Sequence, residues 1–344
     1  MQLPVLKSAF STINNLLYKS YIPNILKSAI EIGIFDALSG KAMSCNELVA
    51  AINTDYRVTE SCLAVLVAAD LLNKSGEKYS LTPLSDDYLV KSSPASQVYA
   101  VCEFATSDGP FKGLTEALKG NIPSFKDRMW SSEDAIRGIE QGAKAGSLQN
   151  AVAFVKDIPE FQQATKMCDF AGNSGYYAYA FMNENEQLHA HVYDLPDVCT
   201  VARELKKEEE HFNRITYHNF NIKEGDSFGD SYDFFFSSHY LYHFAGLGTL
   251  NEILKEINRS MKLGGLFVSN HMDGALIGDD LLTMSVIELM TRSMGFPTHC
   301  IPEEVLKEAL TNAGFGEFTL RRPDQNIAYA TLLLSAIKVT DIKL

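Results

Sequence analysis

The sequence predicts an α/β protein in which a helical amino-terminal part precedes a doubly wound, largely parallel sheet. Three observations carry that expectation. Apolar residues recur at three- and four-residue spacing up to about position 165. Beyond it, short apolar runs alternate with turns and helical stretches, and the chain closes on a pair of extended runs.

Within the amino-terminal part, Ser44 and Glu47 have the spacing of a capping box, so a helix starts there and runs through LVAAI to the break at Asn53, Thr54 and Asp55. The following VTESCLAVLVAADLL places its apolar residues on one face. A turn on Lys74, Ser75 and Gly76 then joins two short extended runs, and Thr82 with Pro83 supplies a cap and a first-turn proline for another helix. Helix, helix, hairpin is the order of a winged helix, assigned to residues 1–100. A DNA-binding role for it is disfavoured, because basic and acidic side chains nearly balance over that stretch and the whole chain has 30 Lys+Arg against 43 Asp+Glu, a net charge of −13. The segment AFSTINNLLYKSYIPNILKSAIEIGIF carries more apolar surface than a small module hides, which points to dimerisation. Residues 101–165 stay helical, broken at Gly109-Pro110 and Asn121-Ile122-Pro123, and are expected to link the two parts and cover the substrate.

The sheet is expected over residues 166–344, with strands at 167–170, 188–193, 214–217, 232–236 and 265–270 and helices at 176–182, 249–261 and 302–313. Runs at 317–320 and 327–337 look like an antiparallel pair on the sheet edge. Ligands of such a sheet lie beyond the carboxyl ends of its strands, so the turn after the first strand draws attention. There Gly172 and Gly175 let backbone approach a ligand closely. The turn does not spell G-x-G-x-x-G, and Tyr176, Tyr177 and Tyr179 stand where a dinucleotide fold needs a third glycine, which disfavours NAD and FAD. Asp194 follows the second strand at the distance from the turn where a carboxylate accepts both hydroxyls of a ribose.

On CDFAGNSG, YDLPDV, DFFFSSHYLYHF and LKEINRSMKLGGLFV, with IPNILKSAIEIGIFDAL, SCNELVAAI and AADLLNKSGEKYSLTPLSDDYL in the first half, nearly the whole chain resembles the small-molecule O-methyltransferases of the caffeate and bacterial antibiotic-pathway type. The resemblance implies a Rossmann-like class I methyltransferase domain behind a winged-helix dimerisation domain, and a homodimer. It also implies S-adenosylmethionine as cofactor, with S-adenosylhomocysteine as product, and methyl transfer to an oxygen, less readily a nitrogen, of a small aromatic or polyketide-like metabolite. By the same resemblance Gly172, Asn173 and Gly175 line the methionine end of the cofactor, Asp194 and Leu195 its ribose, Asn219 and Phe220 its adenine, and Ser237 the end of the fourth strand. The sequence departs from the family pattern at several of these places. Ala171 and Asn173 replace glycines, Asn219 replaces a carboxylate, and Ser237-Ser238 stand where a lysine is common. The family's His-Asp-Trp is Tyr242-His243-Phe244, and a supporting carboxylate is His271.

Methyl transfer from a sulfonium is an in-line displacement, so a base is needed where the acceptor is not already ionised. His243 and His271 are the candidates, with Tyr242 and His239 near them in sequence. Trp130, His239, Met290, Met294 and Phe296 are expected to line the acceptor pocket, with His299 and Cys300 beside them. His189 and His191 alternate along a strand as metal ligands do, but no third ligand accompanies them and no metal is expected. Six scattered cysteines without a CxxC pair, no charged-then-apolar leader and no long uninterrupted apolar run suggest a reduced, cytoplasmic protein without a membrane span. Two competing readings keep the fold. With Tyr242 in the base position, the sulfonium serves as a fixed charge for hydroxylation, decarboxylation or cyclisation; with the altered glycine turn, the chain is a catalytically silent dimeric scaffold or regulator.

Overall fold

The computed structural model describes residues 8–105, 111, 113–122, 132–221, 225–229, 231–274, 281–322 and 331–342. The chain divides into two compact units, 1–110 and 111–344. The first holds α1 (Ser11–Lys19), α2 (Ile22–Glu31), α3 (Ile34–Leu38), β1 (Met43–Ser44), α4 (Cys45–Ile52), α5 (Tyr56–Ala68), β2 (Leu72–Ser75), β3 (Lys78–Leu81), α6 (Pro83–Tyr88) and α7 (Val98–Phe104). Its local signals act as the sequence implies. The Glu47 N–H donates to Ser44 Oγ and the Ser44 N–H to a Glu47 carboxylate oxygen, at 3.3 and 2.7 Å, closing the capping box that starts α4. Asn53 ends that helix in the left-handed region, and Asp55 caps α5 by accepting the Val58 N–H at 3.0 Å. The hairpin forms as β2 and β3, but the unit is not all helix beyond it: Met43 and Ser44 of β1 pair with Tyr79 and Lys78, giving a three-stranded antiparallel sheet. Two residues are too few to show a period, which is why β1 has no signature in the sequence. Ile34, Phe35, Leu48, Leu63 and Leu66 form the core of this unit. None of the residues of α1 is buried, and Phe10, Ile13, Leu16, Leu17, Tyr18 and Tyr21 are all more than half exposed.

The second unit holds α8 (Leu114–Leu118), α9 (Glu133–Lys144), α10 (Ser147–Val155), α11 (Pro159–Gln163), β4 (Lys166–Phe170), α12 (Tyr176–Glu184), β5 (His189–Asp194), α13 (Pro196–Lys206), β6 (Ile215–Asn219), β7 (Tyr232–Ser238), α14 (Tyr242–Leu247), α15 (Leu250–Ser260), β8 (Met261–Met272), α16 (Leu281–Ser293), α17 (Glu303–Asn312), β9 (Phe315–Arg321) and β10 (Thr331–Lys338). Its seven strands run in the order β6-β5-β4-β7-β8-β10-β9. The pairs from β6 to β8 are parallel, and β10 lies antiparallel between β8 and β9. Strand β8 begins at Met261, where the sequence suggests the end of a helix. Met261 pairs with Tyr232, and the left-handed Gly264 lets the strand shift register there and continue.

Alternation along the strands sends side chains to two cores. Met167, Val192, Phe234, Phe236 and Val268 pack with α10, α11 and α12 through Phe154, Phe161, Tyr177 and Phe181. Cys168, Phe170, Phe235 and Phe267 pack with α15 and α17 through Ile253, Leu254, Leu306 and Leu310. The chain leaves β4 toward β5 and β6, then returns to place β7 on the other side of β4, so strand order reverses at β4 and a crevice opens at its carboxyl end. No helix among the described residues is long and apolar enough to cross a membrane.

Candidate active site

The turn between β4 and α12 occupies that crevice. Ala171, Asn173 and Gly175 all take left-handed backbone, with φ of 55°, 53° and 79°. Glycine is the residue that holds such angles without cost, asparagine tolerates them, and alanine is strained there by about 1–2 kcal/mol, which explains what the two departures from a glycine-rich pattern change. Gly172 is required for a different reason. A Cβ on it would lie 2.6 Å from the Asp169 carboxyl and 2.9 Å from Val192 Cγ1. The Asn173 side-chain oxygen folds back along the turn and accepts the Ser174 N–H at 2.8 Å. Further bonds fix the backbone: the Ala171 N–H donates to the Tyr193 carbonyl at 2.8 Å, and the Gly175 N–H to the Gly172 carbonyl at 2.8 Å.

Asp194, at the end of β5, faces this turn. One carboxylate oxygen accepts the Asn173 N–H at 2.8 Å and the other the Leu195 N–H at 2.7 Å, while Leu195 itself is exposed at the start of α13. Burial pushes the Asp194 carboxyl up to about 6, against the pull of those two N–H groups. Asp169 lies under the turn, 1% exposed, with one carboxyl oxygen that finds no partner among the described residues; burial, reinforced by the Asp194 charge, raises it to about 7. Asn219 is exposed opposite Asp194 in the β5–β6 pairing. Phe220 is buried, with one ring face stacked on Phe228 at 4.6 Å. Ser237 is 1% exposed, its hydroxyl without a partner among the described residues.

The other side of the crevice is aromatic. His239 has left-handed backbone, and its N–H donates to the Asn270 carbonyl at 2.8 Å. Tyr242 and His243 open α14, and both meet the segment after α16. The His243 ring stacks on Phe296 at 3.9 Å and 15°, and Tyr242 lies 4.3 Å from His299. His271 is 2% exposed; its Nδ1 shares a hydrogen bond with Ser269 Oγ at 3.0 Å, and its buried Nε2 has no partner among the described residues. Burial keeps three of the imidazoles neutral: it lowers His239 to about 3, helped by His299 and His271, and lowers His271 and His299 each to about 4. The site thus gathers His239, Tyr242, His243, His271 and Phe296 with His299.

Met290 and Met294 are half-buried near the end of α16, and a cavity of about 470 Å³ beside that helix is lined instead by Met284, Glu288, Leu289, Arg292, Thr298 and Cys300. Trp130 lies outside the described residues. His191 does not pair with His189; its Nδ1 lies 2.8 Å from His218 Nε2 on the neighbouring strand, and no cluster of three metal-ligating side chains occurs among the described residues. Sequence reasoning missed Asp169 and Asn270. The Asn270 amide nitrogen is within 3.0–3.1 Å of the Ser147, Tyr177 and Ser238 hydroxyls, a meeting of four segments with no local signature.

A left-handed backbone turn with two glycines, beside a carboxylate with lone pairs to spare, fits an adenosyl group. Comparison with known proteins agrees. Residues 14–91 match the O-methyltransferase dimerisation domain and residues 129–315 the O-methyltransferase domain. The chain is 26% identical over 324 residues to chicken acetylserotonin O-methyltransferase, covering 88% of this chain and 90% of the other. It is 26% identical over 257 residues to the tetracenomycin polyketide synthesis 8-O-methyl transferase of Streptomyces glaucescens, covering 71% and 73%. The crystal structure of human N-acetylserotonin methyltransferase in complex with S-adenosylmethionine superposes with a TM-score of 0.76 at 19% identity, covering 98% of this chain and all of that one. With the domain model matched across the sheet and its turn, the chain belongs to the O-methyltransferase family of S-adenosylmethionine-dependent enzymes.

Proposed function

We propose that this enzyme methylates a phenolic or similarly acidic hydroxyl on a small, planar aromatic or polyketide-like metabolite, as a homodimer. The observation that supports it best is the ring-lined wall of Tyr242, His243, Phe296 and His299 beside a buried His271 nitrogen that has no partner among the described residues. A flat aromatic acceptor suits such a wall, because ring faces and edges attract other rings. The relatives named above act, by their names, on acetylserotonin and on a polyketide. The exposed apolar face of α1, within the matched dimerisation domain, supports a second copy as partner. The winged-helix description of residues 1–100 and the covering role of residues 101–165 belong to the same proposal, as does a cytoplasmic setting, which suits six free thiols.

S-adenosylmethionine supplies an electrophilic methyl group on sulfur. Gly172, Asn173 and Gly175 hold its methionine end, Asp194 accepts from its ribose hydroxyls, and Leu195, Asn219, Phe220 and Ser237 complete its walls. His271 takes the acceptor's proton at Nε2, with Nδ1–H held by Ser269 Oγ; Tyr242 and His243 orient the acceptor ring, and His239, Met290, Met294 and Phe296 exclude water. Trp130 is retained as a candidate acceptor contact. Incubation with methyl-labelled cofactor and a panel of phenols tests the reading. Label is expected in the product, and His271→Ala is expected to lower kcat about 100-fold while S-adenosylhomocysteine binds as before. A converted acceptor without label would establish the repurposed chemistry instead.

A further inference from the structure

Ser174, fully buried, ties the 171–175 turn to two other elements. Its hydroxyl donates to Glu140 Oε2 on α9 at 2.8 Å, and its carbonyl accepts the Tyr217 hydroxyl on β6 at 2.8 Å. Glu140 is itself held by Lys206 of α13 at 2.9 Å and by Lys144, one turn along α9, at 2.7 Å. Burial works against the Glu140 carboxylate, but the two ammonium groups outweigh it and hold the group down at about 2. Lys206 is 7% exposed, so salt in the solvent screens little of this network.

The turn needs such support. Ala171 and Asn173 occupy backbone angles that residues with a Cβ hold when their surroundings over-determine them. Asp194 fixes the N–H of Asn173, and Tyr217 fixes the carbonyl of Ser174; Glu140 adds a charge-assisted bond from outside the sheet. We propose that Glu140 is a positioning residue for cofactor binding: through Ser174 it holds the 171–175 backbone in the form that accepts the adenosyl group, a role that rests on the assignment of this turn to the cofactor.

Calorimetry with S-adenosylhomocysteine on the full chain tests it. Glu140→Ala and Ser174→Ala are each expected to raise Kd about tenfold, with kcat at saturating cofactor within about twofold of the parent. The double variant is expected to be no weaker than either single one, because both remove the same bond. Glu140→Gln keeps an acceptor for the serine hydroxyl and is expected to recover part of the affinity. Glu133→Gln, which breaks an exposed pair with Arg137 on the same helix, is expected to bind like the parent. If Glu140→Ala does not fold, Ser174→Ala carries the test alone. Parental Kd in Ser174→Ala, or a double variant whose loss is the product of the single losses, overturns the proposal. Asp194→Ala separates the two levels. If it too binds like the parent, the turn is not the cofactor site and the clamp falls with it; if it alone loses affinity, the clamp falls and the site stands.

Discussion

The two walls of the crevice are made by opposite means. At the β4–β5 end the chain uses backbone geometry and carboxylates: three left-handed residues, Gly172 pressed on Asp169, and Asp194 bonded to two N–H groups. At the β7–β8 end it uses rings from α14 and the segment after α16, together with the neutral imidazoles of His239, His271 and His299. The difference teaches that one wall is specified by main-chain angles and hydrogen bonds to the main chain and tolerates little change, while the other is specified by side-chain packing among distant segments.

The comparison is broken most directly at Gly172. Gly172→Ala places a methyl group 2.6 Å from the Asp169 carboxyl, so it is expected to weaken S-adenosylhomocysteine binding about 100-fold or more and to lower the melting temperature. Parental binding in that variant would mean the turn yields as easily as the ring wall. An intermediate effect follows from pH, where the two walls have opposite signs. Asp169 and Asp194 are raised from 3.8 to about 7 and about 6, so their native forms take up protons before the unfolded chain does. Their contribution favours the fold at acid pH and is lost as pH rises through 6–7. His239, His271 and His299 are lowered from 6.5 to between about 3 and 4, so the unfolded chain takes up protons first and stability is lost as pH falls below 6.5. Melting curves at pH 5 and pH 8 sharpen the contrast. Asp169→Asn is expected to lose stability at pH 5 relative to pH 8 when compared with the parent, and His299→Gln to gain it. The smallest expected effect is Ala171→Gly, where relief of left-handed strain is opposed by the freer unfolded chain, for a net change under about 1 kcal/mol in denaturant unfolding.

The same contrast decides how much the sequence discloses. The positions of the strands, the turn and Asp194 are legible because each rests on period or spacing along the chain. The capping box at Ser44 and Glu47 is legible for the same reason, since both of its bonds close within one helical turn. His299 meets Tyr242 from 57 positions away in the chain, a pairing set by how α16 packs and not by any local pattern. Glu140 is 34 residues from Ser174 and lies on a helix whose exposed pairs look alike in sequence, so its inward bonds to Ser174 and Lys206 have no signature. Asp169 looks like any strand-end residue until Gly172 is seen pressed on it.

Asp194 carries one more consequence. Each of its oxygens already receives a main-chain hydrogen, and each keeps a second lone pair. The carboxylate therefore cannot rotate to seek a sugar. Its torsional freedom is surrendered when the protein folds, long before any nucleoside arrives; in the ribose contact proposed above, the vicinal diol meets an acceptor whose direction is already fixed, and recognition at that corner costs little further ordering.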